Sequence, residues 1–128
     1  MWHNNARWLV IVVLGWSIEI GAGGTYAASP APPADPAQRG ELVYRQVCLS
    51  CHGVDGKGGG YKNLTPPPAD LTSADVQHKL DVTLYRTVHE GRKDTAMGAW
   101  KFTLTEAEIR DVLAYVRLLG QRGAGARP

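Results

Sequence analysis

Apolar positions recur at helical spacing in two well-separated stretches of the chain. In the first, Gly40, Val43, Tyr44, Val47 and Cys48 fall on one helical face. Asp35 is a good N-cap, Pro36 suits the first helical position and Gln38 lies three residues beyond the cap, so a helix is predicted over 36–47. In the second stretch, Ile109, Val112, Leu113, Val116 and Leu119 form an apolar stripe. Thr105 and Glu108 precede it as a capping box, with Leu104 and Ile109 placed to staple it, and Gly120 is the expected stop. Between the two, a shorter helix is predicted over 82–90, capped by Asp81 and ended by Gly91, with another turn or two within 73–80. No segment shows the two-residue alternation of a strand. The pattern predicts an all-α protein with three to four short helices and long loops.

The N-terminal region reads differently. Arg7 precedes an apolar run of 11 residues at 8–18, which Glu19 interrupts, and small residues then lead to Ala27 and Ala28. Charge, apolar run and small-residue site in that order predict a secretory signal over 1–27. The rival reading is an anchor retained through residues 8–20, but the run falls short of the roughly 20 residues that cross a bilayer. The mature form is therefore expected in the periplasm without a stable membrane span. A Pro/Ala-rich linker follows over 28–34, then one folded domain over 35–121 and a flexible tail over 122–128.

Length and composition narrow the possibilities further. At 128 residues, one domain is the expectation. A net charge of +2, from 14 basic and 12 acidic residues, argues against a nucleic-acid binder. The 15 glycines and 8 prolines agree with a loop-rich backbone.

The chemistry concentrates in Cys48-Leu49-Ser50-Cys51-His52, which holds the only two cysteines of the chain. Residues three and four apart share a helical face, so two thiols and one imidazole can address a single flat ligand. The spacing C-x-x-C-H is the attachment signature of c-type haem: Cys48 and Cys51 add to the two vinyl groups and His52 lies under the iron. Three other readings fit less well. A thioredoxin-like redox pair needs a βαβ pattern. A structural disulfide leaves His52 without a purpose. A closed zinc site needs four ligands, usually from two clusters, and only one cluster is present.

Iron in such a haem has a second axial position. The candidates are Met97, His78 and His89, with Met1 and His3 in the expected signal. Met97 is the only methionine beyond the signal and lies among Ala96, Gly98 and Ala99, outside any helical stripe. That setting suits iron ligation better than core gap-filling. His78 sits in a polar stretch and His89 near a helix end, where each is expected to be solvated or capping.

The order of these elements resembles the class I c-type cytochromes, especially the small bacterial mono-haem forms found alone or as subunits of respiratory enzymes. The resemblance rests on Gly40 and Tyr44, on CLSCHG at 48–53, on the glycine-rich 55–60, on LTPPPADL at 64–71, on Met97-Gly98-Ala99-Trp100 and on Leu113-Ala114-Tyr115-Val116. It covers about 35–121. It implies the cytochrome c fold wrapped around one covalent haem c with its iron, and a one-electron carrier with His/Met ligation, not an enzyme by itself. It implies a close crossing of the first and last helices at Gly40, with Tyr44 near Val112 and Tyr115. It also implies a carbonyl from the triple proline, taken as Pro67, accepting the free ring N–H of His52, and Trp100 packing on the haem. Many relatives carry proline where this chain has Gly98, which keeps open a second reading: a haem sensor or catalytic haem with a displaceable sixth ligand. Partners are expected to be redox proteins, with association to a membrane enzyme complex possible. Lys57, Lys62, Arg92, Lys93 and Lys101 fall in segments expected near the haem edge, where they would steer an acidic partner.

Overall fold

The computed structural model describes residues 31–125; the expected signal and the start of the linker lie outside the described residues. The order is α1 (Pro36–Val43), a π-helical turn (Tyr44–Cys48), α2 (Leu49–His52), α3 (Ala74–Gln77), α4 (Asp81–Glu90) and α5 (Glu106–Gly125). Among the described residues there is no strand, and none of their helices is long and apolar enough to cross a membrane.

The first helix starts as its cap predicts, with Asp35 accepting from the N–H groups of Ala37 and Gln38 at 2.7 and 3.2 Å. It does not stop at Val47. The π-helical turn inserts one residue into the hydrogen-bond ladder, and the chain stays helical as far as His52. Such turns rotate the side chains that follow them relative to the helix start, which strict 3.6 spacing does not anticipate.

α1 packs chiefly on α5. Gly40 makes this possible, because a Cβ there would run into the backbone carbonyl of Asp111. Beside it the Arg39 guanidinium grips the Asp111 carboxylate with two bonds of 2.7 and 2.8 Å, joining the helices side by side. Tyr44 meets Tyr115 with ring centroids 5.2 Å apart, and Val43, Val112 and Leu119 complete that buried cluster.

α5 begins with the reciprocal capping box: Glu108 N–H donates to Thr105 Oγ1 at 3.2 Å and Thr105 N–H to the Glu108 carboxylate at 2.8 Å. Its end is not at Gly120 but at Gly125, so residues 122–125 of the expected tail are helical. Gly120 instead clears space for the Gln77 side chain, whose amide donates to the carbonyls of Leu71 and Val116 at 2.7 and 3.1 Å.

Ser73 caps the one-turn α3. The cap of α4 is Leu80 and not the expected Asp81, which is the first helical residue. The Asp81 carboxylate is turned to Arg117 on α5, at 2.6 Å, and the same guanidinium takes the carbonyls of Gln77 and Lys79. One arginine thus ties the α3–α4 corner to the last helix. Val76, Leu84 and Leu113 form a second small buried cluster there.

Candidate functional site: an apolar cavity bordered by two small cores

Both buried clusters border one cavity of about 300 Å³, with Tyr44 and Val112 lining it from the first and Val76, Leu84 and Leu113 from the second. A further wall comes from Pro66, Pro67, Pro68 and Ala69. Prolines carry no backbone N–H, so the three-proline part of this wall needs no hydrogen-bond acceptors from an apolar guest.

Cys48, Cys51 and His52 all line the cavity from the extended first helix. Gly53, at φ 78°, ends that helix. Its carbonyl accepts from the buried Tyr44 hydroxyl at 2.6 Å, and burial pushes the Tyr44 phenol well above its ordinary value. The glycine-rich loop then folds back under the helix end, where the Gly58 and Gly60 N–H groups take the carbonyls of His52 and Cys51 at 2.8 and 3.2 Å. At Gly58 (φ 79°) any side chain would also strike the Pro68 carbonyl.

The Pro68 carbonyl is turned toward Gly58, and the acceptor for His52 is the next one along. His52 Nδ1 lies 3.1 Å from the Ala69 oxygen. The carbonyl expected from Pro67 therefore comes from Ala69, two residues on. A carbonyl only accepts, so Nδ1 carries the proton and Nε2 keeps its lone pair. Burial lowers the His52 pKa, and the bond to Ala69 opposes that only in part. The ring is a neutral imidazole with one donor atom to offer.

The thiols are free, and burial followed by the proximity of Cys51 raises Cys48 to about 11. A half-buried thiol whose pKa is raised is unlike the low-pKa cysteine of a redox CxxC pair. Nor, among the described residues, does any group of three or more His, Cys, Asp or Glu side chains stand ready to chelate a metal ion.

Met97 lines the same cavity, together with Thr95 and Ala96. Trp100 is not among the lining residues, against expectation. By that point the chain has turned back on α4, with Trp100 N–H donating to the Val88 carbonyl at 3.1 Å. His78 is exposed. His89 stacks on Tyr85 with centroids 5.5 Å apart and bonds Glu90 at 2.8 Å, so neither histidine enters the cavity lining. Spacing offered no signal for the Ala69 carbonyl or the Tyr44–Gly53 bond; Thr95, two residues before Met97, carried a weak one as a turn-forming hydroxyl.

Two thiols, an imidazole nitrogen with a free lone pair and a thioether thus border one largely apolar cavity. That donor set fits a covalently attached iron porphyrin, and defines a haem-binding protein of the c type. A family model described as "Cytochrome C oxidase, cbb3-type, subunit III" matches residues 35–116. The chain is 38% identical over 88 residues to cytochrome c55X of Paracoccus denitrificans, covering 67% of this chain and 79% of that protein. It is 31% identical over 88 residues to the cbb3-type cytochrome c oxidase subunit CcoP of Azospirillum brasilense, and 37% over 100 residues to that of Rhodobacter capsulatus. The match covers 68% and 69% of this chain but only 30% and 31% of those two subunits. The chain belongs to this family of class I c-type cytochromes: its fold is the cytochrome c fold and its cofactor is covalent haem c with iron.

Proposed function

We propose that this chain is a periplasmic one-electron carrier with a His/Met-ligated haem c, exchanging electrons between redox proteins of a respiratory or dehydrogenase chain. The observation that carries this reading is the convergence of Cys48, Cys51, His52 and Met97 on one largely apolar cavity. Cys48 and Cys51 hold the porphyrin through thioether bonds, one to each vinyl group. His52 would hold the iron through Nε2, with Ala69 fixing its ring. Met97 would hold it through its sulfur. Bound haem supplies an iron that alternates between ferric and ferrous states one electron at a time.

With His52 and Met97 both holding the iron, no coordination site would be open to substrate, and the chain would act as a carrier and not a catalyst. Sulfur ligation and an apolar lining raise the reduction potential. Residues 1–27 act as the export signal and 28–34 as the linker, and the domain begins at residue 35, where the family match also starts. The relatives named as cbb3 oxidase subunits make a membrane-bound respiratory oxidase a natural partner for this domain, as subunit or as client.

The test is an optical spectrum of the periplasmically expressed protein with a pyridine haemochrome assay, for the wild type and Met97→Ala. The reading requires one haem per chain and the red charge-transfer band of ferric methionine-ligated haem, lost in M97A. Rapid carbon monoxide binding to the reduced wild type at neutral pH would favour the alternative, a haem sensor with a displaceable sixth ligand.

A further inference from the structure

Gly98 follows Met97 in an open position, with nothing within 4 Å of where its Cβ would be, so packing at that residue does not stiffen the loop. The loop is nevertheless tied at both ends of its turn. Thr95 Oγ1 donates to the Arg92 carbonyl at 2.8 Å and accepts from Met97 N–H at 3.2 Å. The Met97 carbonyl in turn accepts from Arg92 N–H at 2.9 Å. Both backbone polar groups of Met97 are therefore engaged, and a single hydroxyl closes the ring of contacts.

The base of the loop is pressed tight. Gly91, at φ 74°, ends α4, and a Cβ there would lie 2.6 Å from the Gly98 carbonyl carbon and 2.7 Å from the Met97 oxygen. Asp94 takes the left-handed conformation at φ 58°, which reverses the chain between Arg92 and Thr95. Thr95 itself is half-buried and lines the cavity beside Met97.

We infer that Thr95 is the positioning residue for Met97: its hydroxyl holds the methionine backbone so that the sulfur is presented to iron in place of competing ligands. The inference rests on Met97 being the axial ligand, as proposed above. Without the hydroxyl, Met97 N–H loses its acceptor and the Arg92 carbonyl the donor that Thr95 gives it, and the turn opens at the residue that aims the side chain. Met97 then gives way more readily to an external ligand. The hydroxyl bonds Arg92 and Met97 and neither Cys48, Cys51 nor His52, so attachment of the haem is expected to persist without it.

The experiment uses the ferric holoprotein in four forms: wild type, Thr95→Val, Thr95→Ser and Met97→Ala. Imidazole serves as the probe because it competes for the sixth position. T95V keeps one haem per chain by pyridine haemochrome, weakens the methionine charge-transfer band and binds imidazole about tenfold more tightly, as expected for a hydrogen bond near 1.4 kcal/mol. T95S, which keeps the hydroxyl, matches wild type. If M97A loses the band while T95V keeps both the band and the wild-type imidazole affinity, the inference falls and the ligand assignment stands. T95S behaving like T95V would also overturn it, since packing by the methyl group would then be the operative feature. An unchanged band in M97A would bring down the ligand assignment and the inference together.

Discussion

Gly40 and the backbone of Asp111 are in direct apposition, with no room between them for a single methyl group. This is the point at which α1 and α5 cross, beside the buried cluster that supplies Tyr44 and Val112 to one side of the cavity. Val43 and Tyr44 extend the contact on one side, and the Arg39–Asp111 ion pair clamps it on the other.

Gly40→Ala forces the helices apart. Overpacking against immovable backbone costs about 3 kcal/mol, more than the helix propensity alanine returns. The expected result is a lower denaturation midpoint for the holoprotein. A midpoint at or above wild type would show that the crossing has slack.

The cofactor is part of the core. Only ten hydrophobic side chains are buried among the described residues, eight of them in two clusters that both border the cavity. Such a small core offsets little conformational entropy unaided. Cys48→Ala/Cys51→Ala is therefore expected to lose most of its helical circular dichroism along with its colour. A native-like helical spectrum from the colourless variant would contradict this.

Tyr44 joins the helix crossing to the haem-attachment segment. Its hydroxyl is buried and donates to the Gly53 carbonyl at 2.6 Å. Tyr44→Phe keeps the ring contact with Tyr115 but removes the shorter of the two bonds to that carbonyl, leaving only the Gly56 N–H at 3.3 Å, at a cost of about 1 kcal/mol. Equilibrium denaturation of the holoprotein measures it, and unchanged stability would mean that water replaces the phenol.

The capping box of α5 makes a small part of the stability depend on acid. Glu108 is held below its ordinary value chiefly by the Thr105 N–H, then by the Thr105 hydroxyl. A carboxyl with a depressed folded pKa contributes stability that is complete above its unfolded value of about 4.5 and is lost as pH falls through the folded value. Thr105→Ala is expected to destabilise by about 1 kcal/mol at neutral pH, with a smaller penalty at pH near 3. Thermal unfolding at the two pH values checks this; a penalty independent of pH would assign the effect to the hydroxyl alone.

Lys57, Lys62 and Lys93 are exposed and, among the described residues, pair with no carboxylate, whereas Lys101 is held by Glu90. If the unpaired lysines steer an acidic redox partner, the bimolecular rate falls with rising ionic strength, and Lys93→Glu slows it further at low salt. A rate that is flat across ionic strength would exclude steering.

Local sequence determined whatever depends on neighbours along the chain. The capping box at Thr105, the Asp35 cap, the apolar stripe of α5 and the density of chemistry in CLSCH need only propensity and periodicity to be read. The all-α class was read in the same way, whereas the helix crossing at Gly40 was implied by the resemblance to the class I c-type cytochromes. Tertiary structure decided the features that depend on chain segments meeting. Gly120 reads as a helix stop by itself, but it is a recess for Gln77, and α5 continues past it. Asp81 looks like a cap until Arg117 claims its carboxylate from another helix. The partner of His52 is the Ala69 carbonyl, because the direction of a carbonyl is set by how its segment folds against Gly58, which side-chain identity does not encode. A backbone group is the same at every position in sequence, so which one faces the functional side chain is settled only when the chain has packed.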